Sequence, residues 1–265
     1  MTEADDMPLQ ADEYDAFEAT ASFAQQRLCF LDQLNPGSAA YNINFAIRLK
    51  GTLNREALQQ ALDRLVERHE SLRTTFDTVD EEPIQVIREE LIIPVEHHEV
   101  ADAIAEKEKL TELSSRPFNL RKGPLLKPHI IQQAPDNQVL LLVIHHSVAD
   151  AWSLQVLYGE LSGVYSAIIN NTEAQLPELP IQYADYAEWQ QEWLSGEQLQ
   201  KQLDYWSTKL GNCAPKLDLP ADKPRPRVQS SNGANCSLAL DRGLSVGRSS
   251  LAKRGSTTLF NAALT

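Results

Sequence analysis

Residues 137–153, NQVLLLVIHHSVADAWS, contain the feature that most limits the fold. Val139 to Ile144 are six consecutive apolar residues, so neither face of an extended segment is polar. A strand of that kind must be covered on both sides, which puts it at the centre of a sheet between two layers. The run stops at two adjacent histidines, His145 and His146. Asp150 follows, and then Trp152, Val156, Leu157, Leu161, Val164, Tyr165 and Ile168 fall at helical spacing. Either Asp150 or Ser153 can cap that helix.

The flanking segments supply the layers. Ser22 and Gln25 have the capping-box spacing, predicting a helix to about Leu34. Ile43, Phe45, Ile47 and Leu49 alternate with polar or small residues, as a strand with one buried face does. Residues 54–70 carry an apolar stripe of Leu58, Ala61, Leu62, Leu65 and Val66. Short strands are predicted at 84–88 and 92–97, and a helix over 101–115. GPLLKPHIIQ reads as a strand, with Pro128 pointing to an edge or a bulge. Helical pieces follow at 181–194 and 198–210. Then come a Pro-rich stretch, a short strand in NCSLAL, and the opening of a buried helix in GSTTLFNAALT. Trp152, Trp189, Trp193 and Trp206 are expected as core anchors. This order of elements indicates an α/β layer architecture.

Charge excludes some functions. The net charge is −13, and the first twenty residues hold seven acids and no base, so the rest carries −6. Residues 1–20 are therefore expected to be an acidic flexible leader. No basic stripe exists for nucleic acid. No apolar run approaches the ~20 residues of a membrane span. Cys29, Cys213 and Cys236 are scattered without a CxxC pair, which fits a reducing cytoplasm.

Three chemistries fit the tandem histidines. One or both can be satisfied core residues. His146 and Asp150 can belong to a metal site, but no third ligand has a matching spacing, so no metal is expected. Alternation sends the two rings to opposite faces, so one can be structural while the other faces a cleft and handles a proton, as acyl transfer requires. His97, His98 and His129 are read as strand residues without chemistry.

HHSVADA resembles the HHxxxDG motif of condensation domains from nonribosomal peptide synthetases. Four more stretches resemble the same family, in the same order: SFAQQRLCFL, RHESLRTTF, RPFNLRKGPLLK and YADYAEWQ. They run from residue 22 to 190, and LDLPADKPRPRVQS extends the likeness. The resemblance implies a chloramphenicol acetyltransferase-like α/β sandwich of two related lobes. On that pattern residues 21–178 form the first lobe and 179–265 linker helices plus the start of an incomplete second lobe. His146 would be catalytic, acting on the amine that attacks a donor thioester. His145 would be structural, and Asp150 would pair with Arg73 to fix the loop. Substrates would arrive on the phosphopantetheine arms of donor and acceptor peptidyl carrier domains, beside an adenylation domain, with no cofactor bound by the chain itself. An epimerisation domain of the same superfamily, or a non-catalytic carrier-binding remnant, are the rival assignments. The fragment by itself is expected to be inactive. Two positions depart from the motifs: Ala151 replaces glycine, and Cys29 stands where tryptophan is common. Alanine is harmless at 151 if that residue opens the helix, and costly if it needs positive φ.

Overall fold

The computed structural model describes residues 15–213, 220, 222–224, 226, 227 and 238–264. The chain divides into two compact units, Met1–Pro215 and Lys216–Thr265. The first contains β1 (Ala16–Thr20), α1 (Phe23–Leu34), β2 (Asn42–Lys50), α2 (Arg55–Arg68), a 3-10 turn (Glu70–Arg73), β3 (Thr74–Val79), β4 (Glu82–Arg88), β5 (Glu96–Glu99), α3 (Ala103–Ser114), β6 (Leu126–Ala134), β7 (Asn137–His145), α4 (Ala151–Ile169), α5 (Tyr183–Trp193) and α6 (Gly196–Leu210). The second contains α7 (Arg242–Arg254) and α8 (Asn261–Leu264).

The main sheet has the order β2-β7-β6-β5. β7 lies inside it, and every residue of β7 after Asn137 is buried. That is the consequence of an apolar run with no polar face: both edges are hydrogen-bonded and both faces are covered. The covering layers follow from the pleat. On one face of β2, Asn42 donates to the Ser114 and Arg116 carbonyls at 3.0 and 2.9 Å, and Arg48 pairs with Glu106, so α3 lies there. On the other face, the Phe45 ring meets Tyr158 of α4 edge-on at 6.0 Å. A second sheet, β1-β4-β3, is antiparallel throughout.

The polar RHESLR segment ties these layers together. Glu160, in the middle of α4, is 6% exposed. Arg68 Nε and His69 Nε2, at the end of α2, lie 3.2 and 2.6 Å from its Oε2. Arg73 is also buried, and among the described residues it forms no ion pair. Its guanidinium donates to the carbonyls of Val66 (3.0 Å), Glu67 (3.1 Å), Glu89 (3.0 Å) and Arg88. The Arg68 carbonyl accepts from the Gln182 side chain at 3.0 Å. A helix leaves its last carbonyls without intrahelical partners; Arg73 and Gln182 supply them for α2. The expected Arg73–Asp150 clamp is thus absent: the guanidinium makes four bonds to backbone carbonyls, and Asp150 is bonded to Ser153.

Other expectations are also corrected. Residues 16–20, placed in the leader, form β1 and pair with β4; residues 1–14 lie outside the described residues. The expected break at 178/179 falls inside the first unit, where Gln182, Gln190 and Gln191 bond to Arg68, Phe23 and Ala21. β6 is an interior strand. Pro128 is accommodated because the parallel ladder with β5 begins one residue later, at His129. The bulge lies at Gln132–Ala134 instead. The predicted strand at 92–97 is shifted to Glu96–Glu99. The four tryptophans are exposed, Trp152 at 76%. α8 is a single short turn with an exposed start, not a buried helix. Of the NCSLAL strand, residues 235–237 lie outside the described residues and 238–240 have no regular structure.

Replacing Arg73 with alanine takes the donor from four carbonyls, those of buried Val66, half-buried Arg88 and exposed Glu67 and Glu89. We expect a loss of about 3 kcal/mol in urea unfolding, with Arg73→Lys recovering less than half, since one ammonium cannot span both chain segments. A loss below about 1 kcal/mol would show that the fork is dispensable.

Candidate active site

The end of β7 builds the site. His145 is the last paired residue, opposite Asn42 of β2. Its amide donates to Leu125 O at 2.9 Å, and the His146 amide donates to Tyr41 O at 2.9 Å. The chain then turns, with Val148 N on His145 O at 3.1 Å. Both histidine backbones are therefore held between neighbouring segments, and the alternation of the strand sends the rings apart. His145 is buried, and His146 is exposed.

His145 is held through its Nδ1. Its Nδ1 accepts from the Ser147 amide at 3.2 Å and lies 2.8 Å from Ser147 Oγ. Accepting from an N–H requires a bare Nδ1, so the proton of the neutral ring sits on Nε2. The ring also meets Phe118 edge-on at 6.0 Å. Burial, helped by the neighbouring His146, pushes its pKa down to about 4. This imidazole stays neutral at physiological pH and works as a brace.

Asp150 is the N-cap of α4. Its Oδ1 accepts from the Ser153 amide at 2.8 Å and the Ser153 hydroxyl at 2.7 Å, while its own amide donates to Ser153 Oγ at 3.2 Å. The Ser153 amide, then its hydroxyl, hold the carboxyl below the usual carboxylate range, and His146 adds a smaller push in the same direction. Among the described residues no ion pair joins Asp150 to an arginine. The aspartate fixes the loop through its own helix. Ala151 is the first residue of α4 and is not among the positive-φ residues, so the missing glycine carries no backbone cost.

A third support was not foreseen. Gln25 of α1 is 2% exposed. Its amide nitrogen donates to Ser147 O at 3.3 Å and to Gln85 Oε1 at 3.0 Å. Its oxygen accepts from the Ser22 amide at 2.9 Å, and Gln85 in turn donates to Thr20 O at 2.8 Å. The same glutamine thus caps α1 and holds the turn after His146. The capping-box spacing revealed the first task; the second joins residues more than a hundred positions apart and had no local signal. Tyr183 reaches the same corner, its hydroxyl 3.0 Å from Ser22 Oγ. Cys29, also buried on α1, has its thiol pushed up to about 12 by burial, with Asp32 adding to the rise. It lines a recess of about 520 Å³ together with Phe76 and Phe118.

The arrangement offers one exposed imidazole on a rigid loop, with a buried neutral ring behind it and a capped helix after it. It can accept, donate or orient a proton. Of the residues predicted for the site, His145, His146 and Asp150 are brought together; Arg73 serves the end of α2.

Known proteins share both sequence and fold. A family model described as the condensation domain matches residues 16–265. Linear gramicidin synthase subunits C and D of Brevibacillus parabrevis are 44% and 46% identical over 247 and 245 residues. Each alignment covers 90% of this chain, but only 3% and 5% of those proteins. Phosphinothricin tripeptide synthetase PhsC of Streptomyces viridochromogenes is 39% identical, over 92% of this chain and 23% of its own length. The chain therefore spans less than a quarter of these relatives. Among solved structures, the starter condensation domain of rhizomide synthetase matches with a TM-score of 0.67 at 20% identity, over 75% of this chain and 49% of that one. A four-domain nonribosomal peptide synthetase matches with a TM-score of 0.79 at 22% identity, over 95% of this chain and 19% of that one. The fold is the expected chloramphenicol acetyltransferase-like one, and the chain belongs to the condensation-domain family of nonribosomal peptide synthetases.

Proposed function

We propose that this chain forms the histidine-bearing part of a domain that joins an acceptor aminoacyl amine to a donor acyl or peptidyl thioester, both delivered on the phosphopantetheine arms of carrier domains next to an adenylation domain. The amine nitrogen attacks the thioester carbonyl. The new C–N bond forms, the C–S bond breaks, and the proton lost by nitrogen ends on the departing sulfur. His146 orients the amine or relays that proton. The observation that carries this reading is the unequal pair: His146 is exposed while its backbone is fixed by Tyr41, and His145 is buried, neutral and already bonded to Ser147. A residue held still with its ring free is what proton handling needs. His145, Asp150 and Gln25 are positioning residues. Arg73 supports the loop only at a distance, by completing the end of α2. The chain spans about half of the rhizomide condensation domain, so the opposite wall of the cleft comes from further sequence in this proposal.

The test joins residues 1–265 to the complementary part of a condensation domain and follows amide formation between two loaded holo carrier domains. His146→Ala should lower turnover by about 10²-fold or more; turnover within about threefold of the parent would overturn the assignment. Gln25→Leu should lower kcat about tenfold with little change in KM, because it displaces the loop without touching a carrier. A rise in KM at constant kcat would instead mark Gln25 as a binding residue.

His145 generates a pH prediction. Its native pKa lies below that of the unfolded chain, near 6.5, so the unfolded state binds the proton first as pH falls. The stability due to this group is present above pH ~6.5 and is lost down to about pH 4, by at most ~1.4 kcal/mol per pH unit. Urea unfolding of the wild type should therefore decline more steeply across that window than that of His145→Met. Parallel curves would show that His145 is not buried in the neutral form.

A further inference from the structure

The face of the main sheet covered by α3 carries a second cluster of histidines, set apart from His146. Glu96 and His98 are two residues apart on β5, so both point to one side. His129 of β6 is the registered neighbour of Glu96 in the parallel ladder. The three side chains converge. Glu96 Oε2 lies 3.2 Å from His129 Nδ1 and 3.6 Å from His98 Nε2, and the two ring nitrogens are 3.3 Å apart. His129 is 1% exposed, the His98 side chain is 19% exposed, and the Glu96 side chain is half exposed.

Hydrogen bonding alone does not satisfy this triangle. His129 Nδ1 can donate one proton, to either Glu96 or His98. Its other nitrogen, Nε2, is buried without a partner and points away from the triangle's contacts, which are made by Nδ1. Whichever neighbour Nδ1 serves, the remaining contacts set lone pair against lone pair unless His98 supplies a second proton. A cation at the centre would take all three lone pairs at once. The spacing suits one: zinc sits about 2.0–2.2 Å from imidazole nitrogen and carboxylate oxygen, and ligands of a tetrahedral ion at that range stand about 3.3 Å apart. Two imidazoles and one carboxylate select a borderline transition ion over magnesium or calcium, which prefer all-oxygen shells.

We propose that Glu96, His98 and His129 form a zinc site, with the fourth position open to water on the side of the half-exposed Glu96. Its role is structural. β5 is an edge strand of four residues, and among the described residues only β6 pairs with it. An ion held by two residues of β5 and one of β6 clips that short strand to the sheet. Along β7, Leu141 is the partner of His129, four residues before His145, so the site lies roughly 13 Å from the tandem histidines.

The site can be tested on the 265-residue chain by competition with a chromophoric zinc chelator, together with thermal unfolding in zinc or magnesium. We expect one equivalent of Zn²⁺ bound per chain and a Tm that rises with Zn²⁺ and not with Mg²⁺. Glu96→Gln and His98→Ala should each weaken binding at least about tenfold and abolish the Tm shift, while His146→Ala binds as the wild type does. Glu96→Gln changes a half-exposed side chain by one atom, so its far-UV circular dichroism should match the parent and exclude misfolding. Absence of stoichiometric Zn²⁺ binding, wild-type affinity in both triad variants, or an equal response to Mg²⁺ would overturn the proposal.

Discussion

The structure rests on the burial of both faces of β7. A strand with no polar face cannot sit at an edge or against water, so β2 and β6 must flank it and helices must cover it above and below. Where that strand stops, the protein brings one side chain out to water while the residues on either side of it stay buried. It does so with two imidazoles of opposite fate, one continuing the interior and the other leaving it. The candidate site is thus a by-product of how the sheet ends, and its precision comes from the strand pairings that fix His145 to Leu125 and His146 to Tyr41.

Polar residues then register the layers. Glu160, Arg68 and His69 join α4 to α2, and Arg73 joins the end of α2 to the end of β4. Buried groups of this kind add specificity at the cost of desolvation, and they tolerate no half measures: removing one member leaves the others unpaired. Gln25 plays the same part between α1, β4 and the histidine turn.

The periodic elements were legible in the sequence because local pattern decides them. The capping box at Ser22 and Gln25, the stripe of α2 and the doubly apolar β7 are all observed. Pairings between distant polar groups were not legible. An arginine and an aspartate in two motifs suggested an ion pair, but Arg73 lies nearer to carbonyls that no helix can satisfy, and Asp150 lies nearer to its own helix. The tryptophans misled because bulk and apolarity do not state which surface is covered; in the described residues they line exposed faces of α4, α5 and α6. His98 and His129 read as plain strand residues because their meeting with Glu96 depends on a parallel pairing between residues over thirty positions apart.

The capping of α4 by Asp150 fixes the point where the histidine loop enters the helix. Ala151 and Glu160 are nine residues apart, about 14 Å along the helix axis, and Glu160 is the point where α2 grips α4. His146 itself is pinned on the sheet side, where its amide meets the Tyr41 carbonyl. The loop from Ser147 to Ala149 therefore bridges two anchors, and a substitution that shifts α4 at Glu160 is taken up in that bridge before it reaches the exposed imidazole.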